Sequence, residues 1–166
     1  LLHCFMRNAE IKRIYLDNSL LVGWFLPYLQ DVKNPQKPKI IEFCEKHSEI
    51  EVFISFFTIA ELIEYLMFKD SRVKDYRRDK DSILDLVEAL NETIKIKTIT
   101  HKGKNELVGN FVLNDIIGFT AICSDVKDAV HVAIAKYENM YFVTHDKKAT
   151  KLSTLYEKVL TDNKLY

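Results

Sequence analysis

Residues 124–148, SDVKDAVHVAIAKYENMYFVTHDKK, decide how the rest of the chain is read. Val126, Ala129, Val130, Ala133 and Ile134 recur at helical period, and after a short turn the run Tyr141-Phe142-Val143 reads as a strand. Asp125 and Asp128 lie about one turn apart, on a face shared with Val132 and Ala135. Asp146 follows the strand, after Thr144 and His145. A carboxylate on a packed helix face and another at a strand's carboxyl end are unusual positions for plain surface charge. Ligands of open α/β sheets bind outside the carboxyl ends of the strands. The pattern therefore predicts that further acids meet these two at that edge.

The remainder of the chain supplies alternating elements. Residues 11–16 read as a first strand, followed by Asp17-Asn18-Ser19 and an apolar helix over 20–26. Residues 27–38 hold three prolines and read as a loop, with Pro38 suited to the first turn of a helix over 39–47. A second strand is expected at 51–54, and Ser55 is a natural cap for a helix over 56–68. A charged stretch at 69–80 leads into an amphipathic helix at 83–90, and a third strand is expected at 94–99. Residues 106–122 are helical in period but interrupted by Gly109 and Gly118. After the fourth strand at 141–143 come a short helix at 148–152 and a last strand at 158–160. No internal repeat or low-complexity tract is present. Strands alternating with helices predict an α/β fold, a three-layer α/β/α sandwich around a mostly parallel sheet. Residues 1–10 are expected to be an N-terminal extension, and 11–166 one folded domain.

Composition narrows the function classes. At 166 residues, the chain can bury one proper core. Its 24 basic and 24 acidic residues cancel, so bulk charge predicts no nucleic-acid partner, and a phosphate binder here needs a local basic patch. Cys4, Cys44 and Cys123 form no C-x-x-C pair, hence neither a zinc site nor a disulfide framework, which suits a reducing cytoplasm. No apolar run reaches the roughly 18 residues of a membrane span, and no signal peptide is read at 20–26.

Four acids stand where a sheet edge gathers side chains. Asp17 ends the first strand and Asp146 the fourth; Asp17 also suits a helix cap before Leu20. Glu61 lies on a largely apolar helix, where a buried carboxylate needs a cation or a donor. Thr58-x-x-Glu61 also has the form of a capping box, although Ser55 is the better helix start. Asp128 suits either a site or the first-turn position favoured by the helix dipole, a role that Asp125, beside the expected cap Ser124, fits better. His131 and His145 read as packed structural residues and stay outside the catalytic set. Oxygen-only ligand sets suit Mg²⁺ or Mn²⁺. Crowded carboxylates repel one another, so at least one should take up protons more readily than usual.

The order of acids in IYLDNSLLV, SFFTIAELIEYL, SDVKDAVHVAIA and YFVTHDKK resembles the PIN-domain ribonucleases, over most of residues 11–160. The resemblance carries that family's acidic residues onto Asp17, Glu61, Asp128 and Asp146, as catalytic groups and as ligands of Mg²⁺ or Mn²⁺. It places Ser19 and Thr144 as supporting polar residues beside the first and last aspartates. These two, with Lys147 and Lys148, are the candidate substrate contacts. It implies metal-dependent hydrolysis of RNA phosphodiester bonds, a toxin role with an antitoxin protein as partner, and a homodimer. Residues 69–80, with Arg72, Tyr76, Arg77 and Arg78, offer charge and a stacking face for RNA, but the interleaved aspartates fit a solvated helix better.

Two other classes compete. One is a PIN-like module that binds RNA or protein without cutting it; retention of all four acids speaks against it. The other is a phosphatase or receiver domain. A haloacid-type phosphatase wants Asp two residues after Asp17, where Ser19 stands, and a receiver wants paired acids before the end of the first strand, where Ile14-Tyr15-Leu16 stand.

Overall fold

The computed structural model describes residues 12–29, 38–65, 97–99 and 110–162. The expected extension at 1–10, the charged segment at 69–80, the helix at 83–90 and the first half of the strand at 94–99 lie outside the described residues. In chain order the elements are β1 (Arg13–Leu16), α1 (Asn18–Leu29), α2 (Lys39–Lys46), β2 (Glu51–Ser55), α3 (Phe56–Glu64), β3 (Lys97–Ile99), α4 (Asn110–Cys123), α5 (Val126–Tyr137), β4 (Tyr141–Thr144), a 3-10 helix (Ala149–Thr154) and β5 (Val159–Thr161).

The five strands form one sheet in the order β3-β2-β1-β4-β5, and each neighbouring pair is parallel. The chain steps outward from β1 through β2 to β3, then returns to build β4 and β5 on the other side of β1. That reversal puts the topological switch point between β1 and β4, where an open parallel sheet has its ligand crevice.

Both faces of the sheet are covered, because the strands alternate apolar residues to each side. Ile14, Leu16, Val52, Ile54 and Val143 pack with Leu20, Leu21 and Trp24 of α1, Ile40 and Ile41 of α2, and Leu62 of α3. Tyr15, Phe53 and Phe142 face the opposite way, against Phe119 of α4, Ala129, Val132 and Ala133 of α5, and Leu152. These are the three layers expected. Each fully buried Leu, Ile or Phe contributes about 1.5–3 kcal/mol, so the two cores fix the register that carries the site residues.

Several local expectations are corrected. Helix α1 runs to Leu29, past Pro27, because a proline so near the end removes a single N–H. Gly118 does not interrupt α4; it lies within the helix on an exposed face with open space around it. Ser124 is not the cap of α5. It adopts a left-handed conformation (φ 59°) and accepts the turn after α4, its N–H donating to the Thr120 carbonyl at 2.9 Å. With one residue used to reverse the chain, the capping falls to Asp125, whose Oδ1 accepts from the N–H groups of Lys127 and Asp128. Helix α3 begins as expected, with Ser55 as cap and Thr58 completing a reciprocal box. Among the described residues no helix is long and apolar enough to cross a membrane.

Candidate metal centre

Asp17 is the first residue beyond β1, and its N–H still bonds to the Val143 carbonyl of β4 at 3.0 Å. That bond seats a buried carboxylate directly over the switch point. One oxygen, Oδ2, accepts from the Ser19 hydroxyl at 2.5 Å and from the Thr144 hydroxyl at 2.6 Å. Both hydroxyls therefore spend their protons on Asp17. Thr144, fully buried, serves as a support for that carboxylate and also accepts the N–H of Asp146 at 2.9 Å. Ser19 in turn accepts the N–H of His145 at 3.1 Å.

Asp146 follows β4, with Oδ1 accepting the Lys148 N–H at 2.6 Å. Lys147 and Lys148 are exposed immediately beyond it. Glu61 reaches the same edge from α3. Its Oε2 lies 2.5 Å from His131 Nε2, and its Oε1 lies 3.6 Å from the Lys127 ammonium, which also pairs with Glu64 at 2.5 Å. A cation and a ring nitrogen from α5 thus both approach this half-buried glutamate.

Asp128 sits in the first turn of α5, on the buried side of the helix. Its carboxyl is pushed up to about 7, first by burial and then by the charges of Asp17, Asp125 and Asp146, with His131 acting in the opposite direction. The expected rise therefore falls on Asp128. Its Oδ2 is buried and, among the described residues, accepts no hydrogen bond. A buried acceptor without a donor is costly, and a cation is one group that can offset that cost.

One group in the described residues has the spacing of a cation site. Asp17, Glu61 and His131 each offer a ligand atom, all within 4.8 Å of one another. His131, set aside as a packing residue from sequence, belongs to this cluster. It is buried, with Nε2 against Glu61 and 3.9 Å from Asp17 Oδ1. The available signal was its position three residues after Asp128, which places it on the same helix face. His145 instead turns away, with its Nε2 3.5 Å from Asp162 and its ring beside Gly23.

The fold and the site together define an α/β protein of the open parallel class with a group able to hold a metal ion at its switch point. No family model matches the chain, and no curated protein matches it in sequence. Among solved structures it is similar to the crystal structure of PAE2754 from Pyrobaculum aerophilum, with a TM-score of 0.53 and 16% sequence identity. The match covers 97% of this chain and 91% of that one. At that identity the likeness concerns the fold, and it extends over nearly the whole of both chains.

Proposed function

We propose that this protein is a metal-dependent endoribonuclease of the PIN type, with Asp17, Glu61, Asp128 and Asp146 forming its acidic centre. The observation that carries the reading is Asp128: a buried carboxyl with an oxygen that has no hydrogen-bond partner among the described residues, its pKa pushed up to about 7 first by burial and then by the charges of Asp17, Asp125 and Asp146. A hard divalent cation such as Mg²⁺ or Mn²⁺ fits this donor set, since the free ligand atoms are mostly carboxylate oxygens. When bound, such an ion supplies Lewis-acid activation of water near neutral pH and neutralises charge on the scissile phosphate.

The chain's own residues have distinct roles in this reading. Asp17 is held by two hydroxyls through Oδ2, which leaves Oδ1 directed toward the cluster. Asp128 and Asp146 complete the charge from the neighbouring helix and strand end. Glu61, fixed from α5, is the group set to orient an attacking water. Lys147 and Lys148, exposed beside Asp146, are placed to meet the flanking phosphates of an RNA strand. A silencing partner protein, as in a toxin–antitoxin pair, and a homodimer belong to the same proposal and rest on the sequence resemblance.

The direct test is purified protein with labelled single-stranded RNA, with and without Mn²⁺, alongside Asp128→Asn. Cleavage that needs Mn²⁺ and is lost in the variant is the expected result. Binding of RNA without cleavage in any divalent metal favours the non-catalytic reading instead.

A further inference from the structure

We propose that His131 is a positioning residue that fixes Glu61 through an Nε2–H donor, with Tyr15 setting its tautomer, rather than a ligand of the ion. This rests on the reading of the site as a metal centre.

The hydrogens and lone pairs around Tyr15 constrain the ring. Tyr15, on β1, is fully buried, and a phenol keeps its proton at neutral pH. Its hydroxyl touches three partners: Ser55 Oγ at 2.6 Å, Thr58 Oγ1 at 3.0 Å and His131 Nδ1 at 2.8 Å. A phenol has one hydrogen to give and two lone pairs to fill. Ser55 Oγ already accepts the N–H of Thr58, and Thr58 Oγ1 accepts the N–H of Ser55, in the box that starts α3. Each of these hydroxyls retains its own hydrogen; the two also lie 3.3 Å from each other, farther than either lies from Tyr15, which is the nearer acceptor for both. With its lone pairs filled by them, Tyr15 gives its hydrogen to Nδ1, and Nε2 then carries the imidazole's hydrogen.

The other end of the ring leads to the same assignment. Nε2 stands 2.5 Å from Glu61 Oε2, a distance at which two bare lone pairs would repel and a shared hydrogen attracts. The ring is also clamped in place. Phe57 lies 5.0 Å from it between centroids, and Phe142 stacks on it at 6.0 Å and 16°. A chain of contacts therefore runs from the N-terminus of α3, through the sheet at Tyr15, to α5 at His131, and back to α3 at Glu61. The Glu61 carboxylate is thereby tied through His131 to the start of its own helix. In other metal sites, partners that orient a ligand matter to affinity by about 10- to 100-fold.

The test uses the full chain and two readouts. Ring-nitrogen NMR of the metal-free wild type assigns which nitrogen carries hydrogen; hydrogen on Nε2 is expected, and a bare Nε2 overturns the proposal. Mn²⁺ affinity is then measured for wild type, His131→Leu, His131→Gln and Tyr15→Phe. His131→Leu should bind Mn²⁺ about 10- to 100-fold more weakly. His131→Gln, whose amide can donate to Glu61, should recover most of the loss, with Tyr15→Phe between them. Equal affinity in wild type and His131→Leu, failure of His131→Gln to recover, or nitrogen coupling to bound Mn²⁺ in the wild-type electron-spin spectrum each overturn it. A wild type that binds no Mn²⁺ overturns the metal reading itself, and this proposal with it.

Discussion

The hydroxyl of Thr144 donates to Oδ2 of Asp17 at 2.6 Å, across 127 residues of sequence. The bond joins the ends of β1 and β4, the two strands between which the chain reverses its direction of winding. A buried carboxylate at such a point is stabilised by its donors or not at all. Thr144→Val keeps the shape and removes the donor, leaving Asp17 with Ser19. We expect a loss of about 1–3 kcal/mol in chemical denaturation under chelator, because a charged, buried acceptor loses one of two partners. A change within about 0.5 kcal/mol would mean that the bond does not hold Asp17 in place.

Asp128 makes stability depend on pH in an unusual direction. An ordinary aspartate loses its proton near 3.8, whereas this carboxyl keeps it to about 7 in the folded protein. Between those values the native state binds more protons than the unfolded chain. Its contribution to stability is therefore full below the lower value and is lost as pH rises through the upper one. Under chelator, wild type should lose stability relative to Asp128→Asn between about pH 4 and about pH 7. At the upper pH the variant should be the more stable by about 1 kcal/mol, the effect being reduced by solvent screening. A difference between the two proteins that is flat across this window contradicts the assignment.

Asp162 carries a structural role that the sequence did not reveal. Its Oδ1 accepts the N–H of Ile40 at 2.9 Å, capping α2 from the far end of the chain. Pro38, the residue before α2, has no side chain able to do so. Asp162→Ala should cost about 1–2 kcal/mol, and Asp162→Asn, which keeps an acceptor, should cost less. Equal losses in the two variants would instead assign the effect to the charge near His145.

Gly118 offers the opposite case. Among the described residues a Cβ there meets nothing within 4 Å, and the residue sits inside a helix. Gly118→Ala should raise stability by about 0.5–1 kcal/mol by restricting the unfolded chain, with no effect on metal binding. A destabilised variant would show that this face of α4 is covered in solution.

The sheet was legible because its strands are short apolar runs with β-branched and aromatic residues, each followed by a polar cluster. Of the cluster with the spacing of a cation site, Asp17 and Glu61 were legible, because one follows a strand end and the other interrupts an apolar helix face. What escaped notice depends on contacts distant in sequence. Tyr15 looks like any apolar strand residue until Ser55, Thr58 and His131 are brought around its hydroxyl. His131 reads as packing because its two partners lie on other elements, 70 and 116 residues away. Pro27 and Gly118 were read as breakers from their intrinsic preferences, yet both lie within helices. Ser124 was read as a cap because serine often is one, but in the two-residue connection between α4 and α5 it makes the turn and Asp125 the cap.

The central claim is that the carboxylates at the switch point form a site for a divalent cation, and melting curves with EDTA and with Mn²⁺ test it most directly. Under EDTA at neutral pH, Asp128→Asn should melt at or above wild type, since one of the mutually repelling charges is gone. Mn²⁺ should reverse that order, because an ion bound only by the native state stabilises it by RT ln(1 + [L]/Kd). At a hundredfold excess over Kd this is about 2.7 kcal/mol, several degrees for a domain of this size. If wild type shows no shift at millimolar Mn²⁺, and Asp128→Asn is the less stable protein with or without the ion, the acids are scaffold and the account is wrong.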